Sequence, residues 1–90
     1  MSQICVKAMI RGMVQGVGFR FHTAHEGLKF GLTGYAKNLP DGSVEVLACG
    51  EEAKVEQLLQ WLQDGPKTSR VDTVEAEEVT WRHVDGFEIM

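Results

Sequence analysis

Apolar and polar residues alternate over residues 4–11, and beyond them the spacing changes. Ile4, Val6, Ala8 and Ile10 share one side, and Cys5, Lys7, Met9 and Arg11 the other. A period of two belongs to a half-buried strand. From Phe21 the period lengthens. Phe21, Ala24 and Leu28 stand at i, i+3 and i+7, one face of a helix that Gly31 is placed to end. Gly27 inside this segment costs about 1 kcal/mol relative to Ala. Thr33–Leu39 reads as a second strand and Ser43–Cys49 as a third, with Val44, Val46 and Ala48 on one face. Only the turn Pro40-Asp41-Gly42 divides these two strands, so they must be antiparallel neighbours. Val55, Leu58, Leu59 and Leu62 then mark a second helix over Glu51–Gln63, stopped by Gly65-Pro66. Val71–Trp81 reads as a fourth strand with an acidic outer side, and Phe87–Met90 as a short closing strand. The order β-α-β-β-α-β, with that extra C-terminal strand, leaves few folds open. It is the ferredoxin-like split βαβ arrangement, an α+β fold with both helices on one face of an antiparallel sheet. By analogy with that fold the four main strands lie in the order 4-1-3-2. Two amphipathic helices on one sheet close a single modest core, so residues 1–90 are expected to form one domain.

Charge is unevenly divided along the chain. The 90 residues carry 9 basic and 13 acidic side chains, a formal net charge of −4. Residues 1–40 hold Lys7, Arg11, Arg20, Lys29 and Lys37 against Glu26 alone, and the acidic excess lies in the second half. Non-specific nucleic-acid or anionic-membrane binding rests on clustered Lys and Arg, so neither partner is expected. No apolar run approaches the ~18 residues of a membrane span, and no secretory signal is visible, which makes the cytoplasm the expected location.

Seven of the ten glycines lie between Gly12 and Gly42, six of them within the basic segment 1–40. Three of them fall in Gly12-Met13-Val14-Gln15-Gly16-Val17-Gly18, a loop that runs into Phe19-Arg20 and the first helix. A helix N-terminus presents unpaired N–H groups and the positive end of a dipole. Glycines before it let the backbone fold into a nest whose N–H groups converge on an anion. Arg20 adds a permanently charged fork of donors suited to phosphate oxygens. On chemistry alone, a phosphate cradle and a tight turn with a structural arginine both remain open. The segment is neither a P-loop nor a dinucleotide fingerprint, because the lysine of one and the third glycine of the other are missing.

Two longer patterns are more specific. Gly12-x-Val14-Gln15-Gly16-Val17-Gly18-Phe19-Arg20 resembles the first signature of the acylphosphatase family. Gly34-Tyr35-Ala36-Lys37-Asn38-x-x-x-Gly42-x-Val44, with Gly50 beyond it, resembles the second. The resemblance spans essentially the whole chain and is closest to the small bacterial members. It implies a hydrolase that splits the carboxyl–phosphate bond of small acyl phosphates into a carboxylate and inorganic phosphate, with no metal and no cofactor. It implies that Arg20 binds the phosphoryl group and that Asn38 orients the attacking water. The backbone N–H groups of Gln15, Gly16, Val17, Gly18, Phe19 and Arg20 would hold the remaining oxygens. Inorganic phosphate or another anion would bind as product or inhibitor, and a monomer is expected. Strands one and two are parallel in this fold, so their ends, carrying the loop and Asn38, should share one edge of the sheet.

Other residues have plainer readings. His22 and His25 lie three apart on a helix, but nothing supplies a third ligand, so no metal site is expected. Cys5 and Cys49 should meet, since both fall on the face opposite the core on neighbouring antiparallel strands. A bridge would close a loop of ~45 residues, worth ~3–4 kcal/mol in the loop-entropy picture. A reducing cytoplasm favours free thiols, with oxidation open in a purified sample. The competing function is a binding module. RNA recognition on such a sheet wants a Lys/Arg-Gly-Phe/Tyr strand with stacking aromatics, and that pattern is absent.

Overall fold

The structure is a computed structural model that describes residues 2–90. The first alternating segment forms β1 (Gln3–Met13), and the helical segment after it forms α1 (Phe19–Lys29). β2 (Thr33–Asn38) and β3 (Val44–Glu51) make the predicted hairpin. α2 (Glu52–Asp64), β4 (Arg70–Val79) and β5 (Phe87–Ile89) complete the chain. The strands form one sheet in the order β4-β1-β3-β2-β5. The four main strands therefore have the expected ferredoxin-like order. β5 departs from the fully antiparallel sheet expected from sequence: it pairs parallel to β2, with Gly34 opposite Phe87 and Ala36 opposite Ile89. The segment joining β4 to β5 crosses the sheet to its far edge, and β5 then runs in the direction of β2.

The core lies between the sheet and the two helices. β1 contributes Val6, Ala8 and Ile10, β3 contributes Val44, Val46 and Ala48, and α2 contributes Val55, Leu58 and Leu62. All are buried, and their periods of two and 3.6 are those read from sequence.

α1 corrects the sequence reading. Its buried residues are Phe19, Thr23, Ala24 and Gly27, not the stripe Phe21, Ala24, Leu28. Phe21 and Leu28 face outward, 58% and 56% exposed. The reason is the close approach of β5. A Cβ on Gly27 would overlap the ring of Phe87, so this face of α1 is built from small side chains. Phe19 anchors it at the start, because the helix begins two residues before the predicted apolar face.

A second, smaller cluster lies on the other face of the sheet. Cys5 stands directly opposite Cys49 across the β1–β3 ladder, with Cα atoms 4.1 Å apart and a disulfide joining them. Leu47 is buried beside them, and Tyr35, Val79 and Val84 cover the group. Among the described residues, no helix is long and apolar enough to cross a membrane.

Candidate active site

β1 and β2 both run antiparallel to β3, so they are parallel to each other. The loop that follows β1 and the end of β2 accordingly share one edge of the sheet. The loop is shorter than the glycine spacing suggests. Gly12 and Met13 still pair with Val71 and Arg70 of β4, after a bulge beyond Arg11, which leaves residues 14–18 as the connection to α1.

Gly16 (φ 75°) and Gly18 (φ 78°) both adopt the left-handed conformation. Gly18 is the N-cap of α1, with no side chain capping the first turn. Left-handed residues alternating with ordinary ones turn successive N–H groups toward one side, the geometry of an anion nest. Among the described residues, none of the N–H groups of residues 15–21 donates to a protein oxygen. They stay available at the positive end of the helix dipole.

Three attachments fix this loop. The side chain of Val14 is buried in the core, as is that of Phe19. Gln15 uses its side chain as well as its backbone: Nε2 donates to the carbonyls of Leu39 (2.8 Å) and Ser43 (2.9 Å) on the β2–β3 connection. On the other flank the Thr68 hydroxyl donates to the Val17 carbonyl at 2.8 Å. Sequence reasoning assigned Gln15 a backbone role only and passed over Thr68. The Asp41 carboxylate steadies the connection that receives Gln15, accepting the Ser43 N–H and hydroxyl, and these donors hold its pKa below the usual carboxylate value.

Arg20 and Asn38 meet at one atom. Arg20 Nη1 donates to the Met90 main-chain oxygen at 2.7 Å, and the Asn38 backbone N–H donates to the same oxygen at 3.2 Å. Strand alternation carries the Asn38 side chain to the helix-bearing face, the face of its ladder partner Val44. There its Oδ1 is buried without a hydrogen-bond donor among the described residues. The other guanidinium nitrogens of Arg20 have no protein acceptor among the described residues. Arg20 lines a concavity of ≈ 110 Å³ with Val14, Gly16, Gly18, Phe19, Phe21 and Ile89, and no acidic side chain is among them. The larger depression beside Glu51, Glu52 and Glu56 has an acidic wall unsuited to an anion. His22 and His25 acquire no third partner, for no group of three metal-ligating side chains occurs among the described residues.

Fold and site together define a ferredoxin-like α+β protein with an arginine-flanked, glycine-rich loop at a helix N-terminus. The acylphosphatase family model matches residues 6–89. An acylphosphatase of Photobacterium profundum is 75% identical over 89 residues, which are 99% of each chain. The acylphosphatase of Coxiella burnetii superimposes with a TM-score of 0.94 at 35% identity, covering 98% of this chain and 93% of that one. The Bacillus subtilis acylphosphatase gives a TM-score of 0.93 at 32% identity, covering 97% and 98%. The chain belongs to the acylphosphatase family, a family of enzymes.

Proposed function

We propose that residues 1–90 act as one acylphosphatase domain that hydrolyses small acyl phosphates, with Arg20 and Asn38 as its catalytic residues. The assignment is carried by one observation: the Arg20 guanidinium and the backbone of Asn38 converge on the same oxygen, that of Met90. That convergence supports a reading in which both residues serve one substrate.

The phosphoryl group sits in the loop, its oxygens bound by the free N–H groups of residues 15–20 and by Arg20. Phosphoryl transfer is governed by positioning and by stabilising charge on the equatorial oxygens, which a ring of fixed donors and one guanidinium supply. The Asn38 amide holds a water, its buried Oδ1 accepting one O–H. A buried acceptor without a donor costs about 1–3 kcal/mol, and the water removes that cost. The water oxygen attacks phosphorus and the bond from phosphorus to the acyl oxygen breaks. The electron pair leaves with the carboxylate. A carboxylate is a good leaving group, so no strong acid is required. An amide is no base, so the water's proton passes to a phosphoryl oxygen of the substrate. The chemistry uses no metal and no cofactor. Inorganic phosphate, the product, competes for the same loop, and the working form is a cytoplasmic monomer.

Steady-state hydrolysis of benzoyl phosphate tests these roles, with and without a chelator. Arg20→Ala is expected to raise KM and lower kcat. Asn38→Ala is expected to lower kcat by about 10²-fold or more, with KM little changed. Full kcat in Asn38→Ala would remove the water-orienting role. No hydrolysis by the wild type would favour a binding module.

A further inference from the structure

Two large apolar side chains stand in the wall of the concavity that holds Arg20. Phe21 is 58% exposed and Ile89 51% exposed, and neither belongs to the core. They reach this wall from different elements, Phe21 from the first turn of α1 and Ile89 from β5. Scattered exposed apolar residues are ordinary. Two that converge from separate elements beside a row of free N–H groups make a surface with two chemistries, one anion-binding end and one apolar end. The concavity holds a single charged side chain, Arg20.

We infer that Phe21 and Ile89 bind the acyl group of the substrate and select an apolar, preferably aromatic, acyl group over a short or charged one. This rests on the hydrolase activity proposed above. With the phosphoryl group held by the loop and Arg20, the acyl group follows after one bridging oxygen, so it must leave along a wall of the same concavity. An aromatic ring there packs edge or face against Phe21 and covers Ile89. A methyl group offers little area to either. A carboxylate on the acyl group loses water at this wall and gains no partner, because the one cation already serves the phosphoryl oxygens. The parallel pairing of β5 acquires a function here, since it carries Ile89 to the helix-bearing side of the sheet edge, level with Ala36.

The test compares kcat/KM for benzoyl phosphate and acetyl phosphate. The wild type is expected to favour benzoyl phosphate. Phe21→Ala should reduce the ratio of the two values about 2- to 10-fold, mainly through KM for benzoyl phosphate, and Phe21→Tyr should restore it. Ile89→Ala should reduce it by less. Leu28→Ala, which truncates an exposed residue of the same helix outside the concavity, should leave the ratio where it was. An unchanged ratio in Phe21→Ala, with both substrates hydrolysed, overturns the acyl-group assignment and leaves the hydrolase standing. Failure of the wild type on both substrates overturns both.

Discussion

Thr68 and Gln15 show how much of the proposed phosphate-binding loop is held in place from outside the loop. A nest of N–H groups works only while its peptide planes keep one orientation, and glycines at residues 16 and 18 give the backbone freedom to lose it. Thr68 holds the Val17 carbonyl from one flank, and Gln15 holds the β2–β3 connection on the other. The Val17 carbonyl belongs to the same peptide plane as the Gly18 N–H, so a bond to one orients the other. Thr68→Val keeps the shape and deletes the donor. A neutral hydrogen bond is worth about 0.5–1.5 kcal/mol, so kcat/KM should fall about 2- to 10-fold. Inhibition by orthophosphate should weaken in parallel while the thermal midpoint hardly moves, and Thr68→Ser should restore the wild-type values. A lower midpoint with unchanged kcat/KM would make Thr68 merely structural. Arg20 and Asn38 were legible in the sequence as candidate site residues because each sits inside a long signature. Thr68 was not, because an exposed threonine in a polar turn, 51 residues from the carbonyl it holds, leaves no local pattern.

At the level of elements, the strands and α2 could be read from apolar spacing, because one of their faces is covered by large side chains. α1 could not. Its contact with β5 is so close that the buried face needs Thr23, Ala24 and Gly27, while Phe21 serves another surface. Spacing rules find large residues and overlook a face that is buried because it is small. Gly27 makes this testable. In an isolated helix Gly→Ala gains about 1 kcal/mol. Here the new Cβ overlaps the Phe87 ring, and overpacking costs about 1–3 kcal/mol. Gly27→Ala should therefore lower the urea midpoint with an unchanged m-value. Adding Phe87→Leu should make the two effects non-additive, with part of the loss recovered. A Gly27→Ala variant more stable than the wild type would mean that β5 yields freely, and that the small face of α1 has some other cause.

Over the whole molecule, the sheet separates what must be positioned from what must be held together. The main core and the site share the helix-bearing face, whereas Cys5, Cys49 and Leu47 form the small cluster on the other. Cys5 also lies eight residues along β1 from Met13, about 26 Å at strand rise. The disulfide thus ties the central pair of strands at the end remote from the loop. Its sequence separation is 44, and in the loop-entropy picture closing such a loop stabilises the fold by about 4 kcal/mol. The core between sheet and helices contains neither sulfur, so the reduced protein should still fold. Two consequences separate cleanly. Reduction should move the denaturant midpoint down by about 4 kcal/mol divided by the m-value, and Cys5→Ala should match it to within the cost of a small cavity. At temperatures well below the midpoint, kcat/KM should be the same in the oxidised and reduced forms, since the loop and Asn38 take no support from the bridge. Both sulfurs are buried, so a small thiol should reduce the bond slowly in buffer and quickly in denaturant. If reduction lowered kcat/KM while the fold remained intact, the two ends of the sheet would be mechanically coupled, and the division of labour between its faces would be wrong.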